Sequence, residues 1–365
     1  MLDIRGILYT KHTLAEHKLT EDIDFMKYSF RSDYCELAHP EVLEAFCAVG
    51  KTQFTGYGLD EFSFRAAEII KDMTEAPTAD VHFICGGTHA NLTIISSVLR
   101  PHEAVIATDK GHIFVHEAGA IEATGHKICA VKDSRGKLGV VNIENTLKAH
   151  DDDQMVSPRL VYISQTTETG TIYSKAELTA IFETCRKNGL YLFIDGARLG
   201  TALNSHVSDL TYADIASNAD VFYIGGTKNG ALFGEAIVVN NDTMKKDFRT
   251  ILRQRGALVS KGAALGIQFE ELLKDGLYDK LAKHANAMAL KMADGIIDAG
   301  YELMNPVETN MLFPVFPEKV AEALRENYEF YDWEKTHDTI TVRLVTSCAT
   351  PESVVDKFIA DLKKI

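Results

Sequence analysis

Several features that would assign this chain to a common protein class are absent from its sequence. No apolar run approaches the roughly 18 residues that a membrane-spanning helix needs. Neither a G-x-G-x-x-G dinucleotide motif nor a Walker phosphate loop occurs. Lys and Arg number 38 against 52 Asp and Glu, and the formal charge of −14 argues against binding to nucleic acid or to an anionic membrane. We therefore expect neither a nucleic acid nor a membrane among its partners.

Cysteine is also sparse, and its spacing is uninformative about pairing. The six cysteines lie at positions 35, 47, 85, 129, 185 and 348, without a Cys-x-x-Cys pair. This pattern fits neither a zinc site nor a disulfide framework, and it is typical of a reducing cytoplasm, where we expect the protein to reside. The first 25 residues have no apolar signal-peptide core and are too acidic for a mitochondrial transit peptide. We expect residues 1–25 to be an extension; the alternative is a genuine N-terminal helix on the surface.

Short apolar segments alternate with helical patterns from about residue 60 to 245. The predicted strands are 81–85, 104–108, 127–131, 159–164, 190–195, 220–225 and 234–239. The predicted helices between them include 88–99, 116–125 and 175–189. This alternation predicts an α/β fold with a mostly parallel sheet and helices on both faces. Ligands of such sheets bind beyond the carboxyl ends of the strands.

Two of these strands end next to residues that together indicate one kind of chemistry. Asp195 ends an apolar strand, and Lys228 follows the next strand after a Gly-Gly-Thr turn. The lysine can hold an aldehyde cofactor as a Schiff base, and the carboxylate can keep a pyridinium nitrogen protonated, so that the ring accepts electrons. The pair therefore points to pyridoxal phosphate. The alternatives are a solvated lysine in a turn and a pairing of Asp195 with Arg198.

A glycine turn and two histidines add further candidate contacts. Residues 86–91, GGTHAN, follow a strand and open a helix, so their N–H groups and the Thr88 hydroxyl suit a phosphate; the alternative is a plain turn with Thr88 as N-cap. His112 and His116, with Glu117 beside them, raise the question of a metal, but no further well-spaced ligand is evident and we expect none. His112 better suits a ring stacked on a flat cofactor. His89 is either catalytic or a polar residue of the helix.

Six segments, in order along the chain, resemble the threonine aldolase family, the β-eliminating-lyase-like members of the aspartate-aminotransferase fold (fold type I). They are FRSD (30–33), GYGLDEFS (56–63), GGTHAN (86–91), GHIFVHEAGA (111–120), DGARL (195–199) and GGTKNG (225–230). The resemblance implies a pyridoxal-phosphate enzyme that cleaves a β-hydroxy-α-amino acid, threonine or allo-threonine, to glycine and an aldehyde. It also implies a homodimer or homotetramer with shared active sites.

The change of sequence pattern near residue 255 predicts a division of the chain, and the resemblance implies a role for each matching residue. We expect an N-terminal segment of the small domain and interface (26–55), a large cofactor-binding domain (56–254), and a long helix with a small C-terminal domain (255–365). Lys228 would hold the cofactor covalently, Asp195 would pair with its ring nitrogen, and His112 would stack on the ring. The phosphate and remaining cofactor contacts would come from Gly87, Thr88, Thr227 and Arg198. The substrate carboxylate would be met by Ser32, Arg198 and Arg343, with Tyr57 approaching the site, in this family often across a subunit interface.

Two departures from the family pattern affect proton transfer. An E-N-T-H-like segment of many members is SQTTETG (164–170) here, with Glu168 as the nearest equivalent of its histidine. A G-G-M-R-Q segment is GALVSKG (256–262), which offers Lys261 in place of an arginine. The candidate bases are His112, His89, Glu168 and an ordered water. The alternative functions are another fold type I reaction (aminotransferase, racemase or β-eliminating lyase) and a non-catalytic α/β binding protein.

Overall fold

The computed structural model describes residues 27–365. The expected extension, residues 1–25, lies outside this range. Within it, no helix is both long enough and apolar enough to cross a membrane. The strands, in chain order, are β1 (Tyr28–Ser29), β2 (Asp80–Ile84), β3 (Glu103–Thr108), β4 (Lys127–Val131), β5 (Ser157–Ser164), β6 (Tyr191–Asp195), β7 (Val221–Gly225), β8 (Glu235–Val239), β9 (Glu302–Leu303), β10 (Met311–Leu312), β11 (Pro314–Pro317), β12 (Tyr328–Glu329), β13 (Tyr331–Lys335) and β14 (Thr339–Val345).

The strands form three sheets, of two, five and seven strands, and are connected along the chain by α-helices. In chain order the helices are α1 (Pro40–Val49), α2 (Glu61–Met73), α3 (Gly87–Val98), α4 (His112–Val115), α5 (Val140–Ala149), α6 (Lys175–Lys187), α7 (Leu199–Leu203), α8 (Tyr212–Ser217), α9 (Asp242–Lys245), α10 (Phe248–Gln254), α11 (Ala263–Lys274), α12 (Leu277–Asp298), α13 (Glu318–Leu324) and α14 (Glu352–Leu362).

The central sheet has the strand order β2-β8-β7-β6-β5-β3-β4. Strands β3 to β7 are parallel, whereas β8 runs antiparallel to both of its neighbours, β2 and β7. Every residue of β3, β7 and β8 is buried, as expected for strands covered by helices on both faces. The predicted mostly parallel α/β sheet is therefore confirmed, and each of its predicted strands is present.

Alternate residues of each central strand enter different cores. In β5, Val161 and Ile163 pack into a cluster with α6, while Leu160 and Tyr162 pack into a cluster with α3 and α10. A third cluster joins α12 and α14 to β14, and it takes in Phe30 from the N-terminal segment. The five-stranded sheet has the order β10-β14-β11-β9, with β13 paired to β14, and β1 and β12 form the two-stranded sheet. The N-terminal segment is thereby tied to the C-terminal part of the chain.

The predicted helix over 116–125 is wrong. The chain instead forms the short helix α4 and a 3₁₀ turn at Glu122–Thr124. Between them Ala118 and Gly119 adopt left-handed conformations, with φ of 50° and 75°. Such angles cannot continue a right-handed helix, and glycine lowers their cost. The long helical region predicted after residue 255 is likewise divided, because Gly276 takes a left-handed φ of 70° between α11 and α12.

Two glycines allow the turns after β6 and β7 to touch backbone to backbone. A Cβ atom on Gly196 would lie 1.8 Å from the Tyr223 carbonyl oxygen, and one on Gly225 would lie 2.4 Å from the Ala197 carbonyl oxygen. In their absence the Gly225 N–H donates to the Gly196 carbonyl at 3.0 Å. This contact brings the end of the Asp195 strand next to the turn that carries Lys228.

Candidate active site

A pocket opens at the carboxyl edge of the central sheet. Its walls are the ends of β5, β6 and β7, the beginning of β8, and the glycine turn before α3. Eight of the residues assigned to the site from the sequence line it together: Gly87, Thr88, His112, Glu168, Asp195, Arg198, Thr227 and Lys228. The pocket lies beyond the carboxyl ends of the strands, which is where ligands of such sheets bind.

Asp195 lies at the back of the pocket and is 3 % exposed. Tyr162 Oη donates to its Oδ2 at 2.5 Å, Tyr223 Oη donates to its Oδ1, and the Ala197 N–H donates to Oδ1 at 3.0 Å. Burial by itself would raise the pKa of Asp195, but the His112 imidazole and the two tyrosine hydroxyls outweigh it and hold the pKa below its ordinary value. The carboxylate is therefore stabilised in its ionised form.

A buried amide connects Asp195 to His112. Asn91 Nδ2, on α3, donates to Asp195 Oδ2 at 3.2 Å and to Glu117 Oε1 at 2.7 Å. The same Glu117 oxygen lies 2.8 Å from His112 Nδ1. Because a carboxylate oxygen accepts, Nδ1 is the nitrogen that donates to Glu117, and Nε2 makes no hydrogen bond to the described residues. Among residues 27–365, no group of three or more His, Cys, Asp or Glu side chains is arranged to hold a metal ion.

Lys228 projects into the pocket from the turn that follows β7. Burial, and then the positive charge of Arg198, lowers the pKa of Lys228, although Asp33, Asp195 and Glu235 act in the opposite direction. A lower pKa leaves a larger fraction of the amine unprotonated near neutral pH, which is the form that attacks a carbonyl.

Arg198 is paired with Asp33 and not with Asp195, so the alternative pairing considered from the sequence is wrong. Its Nε and Nη2 donate to the two Asp33 oxygens at 2.6 and 2.9 Å. Asn310 Nδ2 donates to Asp33 Oδ2 at 3.0 Å. Burial alone would lower the pKa of Arg198, but the Asp33 carboxylate raises it above its ordinary value. The guanidinium is thus fixed at the wall of the pocket in a bidentate ion pair.

The remaining predicted substrate residues do not line the pocket within one chain. Ser32 is buried and its hydroxyl has no partner among the described residues, while Arg343 donates from Nη2 to the Arg31 carbonyl at 3.2 Å. Burial, and then the charge of Arg198, lowers the pKa of Arg343. Two guanidinium groups therefore influence each other beside the pocket, an arrangement suited to a carboxylate ligand.

Several other candidates lie further away. Tyr57 lines a separate cavity with Phe64, and its ring packs under the Arg253 guanidinium at 4.4 Å. Lys261 lines another cavity, beside α1. His89 Nε2 is engaged with the Arg255 carbonyl at 3.0 Å.

The glycine turn before α3 has the features of an anion site. The N-cap is Gly86, which has no side-chain cap, so the alternative with Thr88 as N-cap is wrong. The N–H groups of the first helical turn have no partner within the helix and attract negative charge. A Cβ on Gly87 would lie 3.2 Å from Tyr223 Oη, whereas no atom lies within 4 Å of one on Gly86. The turn is close to the Asp195 network and has open space above it.

Comparison with known proteins identifies the family. The sequence model of the beta-eliminating lyase family matches residues 29–319. The chain is 34 % identical over 343 residues to a low specificity L-threonine aldolase of Pseudomonas sp. (strain NCIMB 10558), covering 92 % of this chain and 97 % of that one. A second such protein, from Pseudomonas aeruginosa, is 33 % identical over 309 residues and matches 83 % of this chain and 88 % of its own. The chain belongs to the beta-eliminating lyase family.

Solved structures agree with this beta-eliminating lyase membership. A Leishmania major threonine aldolase superposes with a TM-score of 0.91 at 48 % identity, covering 92 % of this chain and 99 % of that one. A Thermus thermophilus aspartate aminotransferase superposes with a TM-score of 0.70 at 14 % identity, covering 97 % and 96 %. The second likeness concerns the fold alone. The predicted aspartate-aminotransferase-like fold, fold type I, is confirmed.

This beta-eliminating lyase has a pocket that fits pyridoxal phosphate, the cofactor that its family and fold imply. An amine with a lowered pKa stands at one wall and an ionised carboxylate at the back, while the uncapped helix N-terminus before α3 suits the phosphate. The imidazole of His112 lies in the same pocket. The cofactor predicted from the sequence is confirmed.

The Asn91 amide should be important for the stability of the site. Asn91→Leu keeps the size of the side chain but removes the donor shared by Asp195 and Glu117. We expect a loss of about 1–3 kcal/mol in the free energy of unfolding, because two buried carboxylates each lose a hydrogen bond. Urea unfolding of the wild-type and Asn91→Leu proteins measures this difference in the free energy of unfolding.

The control for this substitution lies two residues along the same helix. Thr93 is fully buried and its hydroxyl has no partner among the described residues, so Thr93→Val should change the unfolding free energy little. An Asn91→Leu protein as stable as the Thr93→Val protein would show that the amide bridge contributes nothing.

Proposed function

We propose that this protein is a pyridoxal-phosphate-dependent carbon–carbon lyase that cleaves threonine or allo-threonine to glycine and an aldehyde. The observation that carries the proposal is the joint placement of Lys228 and Asp195 in one pocket, in a chain that covers nearly the whole length of the L-threonine aldolase of Pseudomonas sp.. Pyridoxal phosphate, when bound, supplies a ring that accepts the electrons of the breaking Cα–Cβ bond.

The residues of the chain would bind and orient the cofactor and substrate. Lys228 would bind the cofactor aldehyde, Asp195 would pair with the ring nitrogen, and His112 would lie against the ring. Gly87 and Thr88, with Thr227 nearby, would contact the phosphate and its surroundings. The substrate carboxylate would be bound near Arg198, Arg343 and Ser32, which would hold the scissile bond in the orientation that decides which bond breaks.

The β-hydroxyl proton needs an acceptor, and the hydrogen bonds favour His112 over Glu168. His112 Nε2 is free, because Nδ1 is held by Glu117. Glu168 Oε1 already accepts hydrogen bonds from Ser164 Oγ at 2.7 Å and from the His112 N–H at 2.8 Å. Burial nevertheless raises the pKa of Glu168, which brings its basicity closer to the neutral range. We propose His112 as the base, with Glu168 orienting the segment that carries it.

We also propose that the active sites are shared between subunits of a homodimer, which pair further into a homotetramer. Tyr57 lies outside the pocket of its own chain, and it forms an exposed apolar group with Leu59 and Phe64, whose exposed fractions are 39 %, 46 % and 54 %. An apolar surface of this kind is typical of a subunit contact.

Two further proposals concern location and domain organisation. We propose a cytoplasmic protein, in agreement with six free cysteines in the described part of the chain. We propose the division into residues 26–55, 56–254 and 255–365; the pairing of β1 with β12 supports the assignment of the first segment to the small domain.

The reaction is tested by incubating the cofactor-loaded protein with a panel of amino acids. We expect glycine and an aldehyde from threonine or allo-threonine, and no keto acid from any member of the panel. The aldehyde is measured by coupled reduction, and glycine and keto acids by chromatography. Keto acid as the main product would show an aminotransferase, and an inert, colourless protein would show a non-catalytic binding protein.

The two candidate bases are compared by substitution. His112→Phe keeps a flat ring in the pocket but removes Nε2, so we expect kcat to fall at least about tenfold, at the low end of general-base losses. In Glu168→Gln the amide oxygen can still accept both hydrogen bonds, so kcat should fall less than in His112→Phe. If His112→Phe has nearly the wild-type kcat and Glu168→Gln has a strongly reduced one, Glu168 is the base and His112 is not.

Assembly is tested on the exposed apolar group. We expect the wild-type protein to sediment as a dimer or tetramer at assay concentration. Phe64→Glu should dissociate it and lower activity in parallel, whereas Val141→Glu, at a 66 % exposed position on α5, should do neither. A fully active wild-type monomer would contradict shared active sites.

A further inference from the structure

A buried glutamate at the pocket has no role in the reaction described so far. Glu235 is the first residue of β8 and is 4 % exposed. It lies opposite Gly225 at the end of β7 and opposite Ile84 at the end of β2. Because β8 is antiparallel to both strands, its beginning lies at the edge where they end. The carboxylate therefore lines the same pocket as Lys228 and Thr227.

Glu235 holds the turn that precedes Lys228. Its Oε2 accepts from the Gly226 N–H at 2.9 Å, and its Oε1 accepts from Thr227 Oγ1 at 2.9 Å. Thr227 Oγ1 in turn accepts from the Gly234 N–H at 2.9 Å. The two residues immediately before the lysine are thus bound to one buried side chain, which restricts where the lysine can point.

Both positive and negative groups surround Lys228 and Glu235. Lys228 faces the positive charge of Arg198 and the carboxylates of Asp33, Asp195 and Glu235, and His116 is close enough for the lysine charge to lower its pKa. Burial raises the pKa of Glu235 to about 8, and the positive charge of Lys228 acts in the opposite direction.

Other titratable groups face Glu235 as well. Asp195 also raises the pKa of Glu235, and the glutamate itself raises the pKa of Tyr223 and Tyr278. The Cys85 thiol lines the same pocket, and burial raises its pKa. Within this set, Glu235 is the acid that is also hydrogen-bonded to the turn carrying Lys228.

We propose that Glu235 is a positioning residue for Lys228: its carboxylate fixes the Gly226–Thr227 turn and supplies the negative charge that stabilises the protonated amine. The inference rests on the proposed function only in taking Lys228 as the residue that binds the cofactor. Lys228 must lose a proton to bind an aldehyde, so the charge on Glu235 contributes, with burial and the charges of Arg198, Asp33 and Asp195, to the pH at which the amine becomes reactive.

The sign of the expected effect follows from the charge. In its ionised form Glu235 raises the pKa of Lys228 and thereby favours the ammonium form. Glu235→Gln keeps the shape and can accept from the Gly226 N–H, but it removes the charge. Lys228 should therefore lose its proton at lower pH, by about one pH unit or more, which is the usual effect of an adjacent opposite charge.

The experiment measures the amine directly in the full-length protein freed of cofactor. The Lys228 peptide is quantified by mass spectrometry after brief acetylation between pH 6 and 11, and the midpoint of its reactivity is compared between variants. In the cofactor-loaded proteins, the pH midpoint of the visible absorption band should move in the same direction. A Glu235→Gln protein that is folded and has the wild-type midpoint would overturn the inference.

Two further variants separate charge from structure. Glu103→Gln is the matched control. Glu103 is also the buried first residue of a strand, 5 % exposed, but it lies at the opposite edge of the sheet. The midpoint of Lys228 reactivity in this variant should equal that of the wild type. Glu235→Asp keeps the charge and should lie closer to the wild type than to Glu235→Gln. A shift as large in Glu235→Asp as in Glu235→Gln would assign the effect to structure and overturn the role of the charge.

If Glu235→Gln does not fold, Lys228→Gln supplies the complementary measurement. An acid whose pKa is raised by folding stabilises the protein at low pH and loses that contribution as the pH rises through its folded pKa. Without the ammonium group, the free energy of unfolding should fall more steeply between pH 6 and 9 than in the wild type. An identical pH dependence in the two proteins would contradict the pairing of Glu235 with Lys228. A protein that shows the shift but does not cleave threonine would refute the proposed function alone.

Discussion

The ionised carboxylate of Asp195 is the constraint around which the pocket is built. Removing a charge from water is costly unless hydrogen bonds replace the lost solvation. Here two tyrosine hydroxyls, one backbone N–H and the Asn91 amide do so, and they come from β5, β7, the turn after β6 and α3. These elements must therefore take fixed positions around one side chain, and the same elements form the walls of the pocket.

The other charges of the pocket are arranged in opposed pairs. Arg198 is bound to Asp33, and Lys228 lies near Asp195 and Glu235. Each pairing limits the cost of burying a charge, yet none of the described side chains is within ion-pair distance of the lysine. The amine is therefore influenced by its surroundings and still available to react, whereas Arg198 is held rigidly as part of the wall.

The central sheet and many residues of the pocket could be predicted from the sequence, because the patterns that indicate them are local. The buried strands are continuous apolar runs, and Asp195, Lys228 and the GGTHAN turn follow directly from the ends of strands. What could not be predicted depends on distant parts of the chain. The partner of Arg198 is Asp33, 165 residues away in sequence. The helix over 116–125 was predicted from its helix-favouring composition. In the structure, Ala118 and Gly119 take left-handed conformations that interrupt it.

Glu235 shows the same limit. In sequence it is the second residue of a predicted strand and resembles any polar residue near a strand boundary. Only the antiparallel direction of β8 brings it to the pocket, and the direction of a strand is not encoded in its own residues.

That reversed strand also determines how the lysine is tethered. The segment from Gly226 to Gly234 connects two adjacent strands, and its base is closed by hydrogen bonds from the Gly226 and Thr227 N–H groups to the Gly234 carbonyl. A parallel connection would have needed a long crossover, whereas this closed loop loses little chain entropy when it forms. Lys228 consequently sits on a hairpin that can assemble locally, and insertions in this loop should be tolerated far less well than in the peripheral loops of the fold.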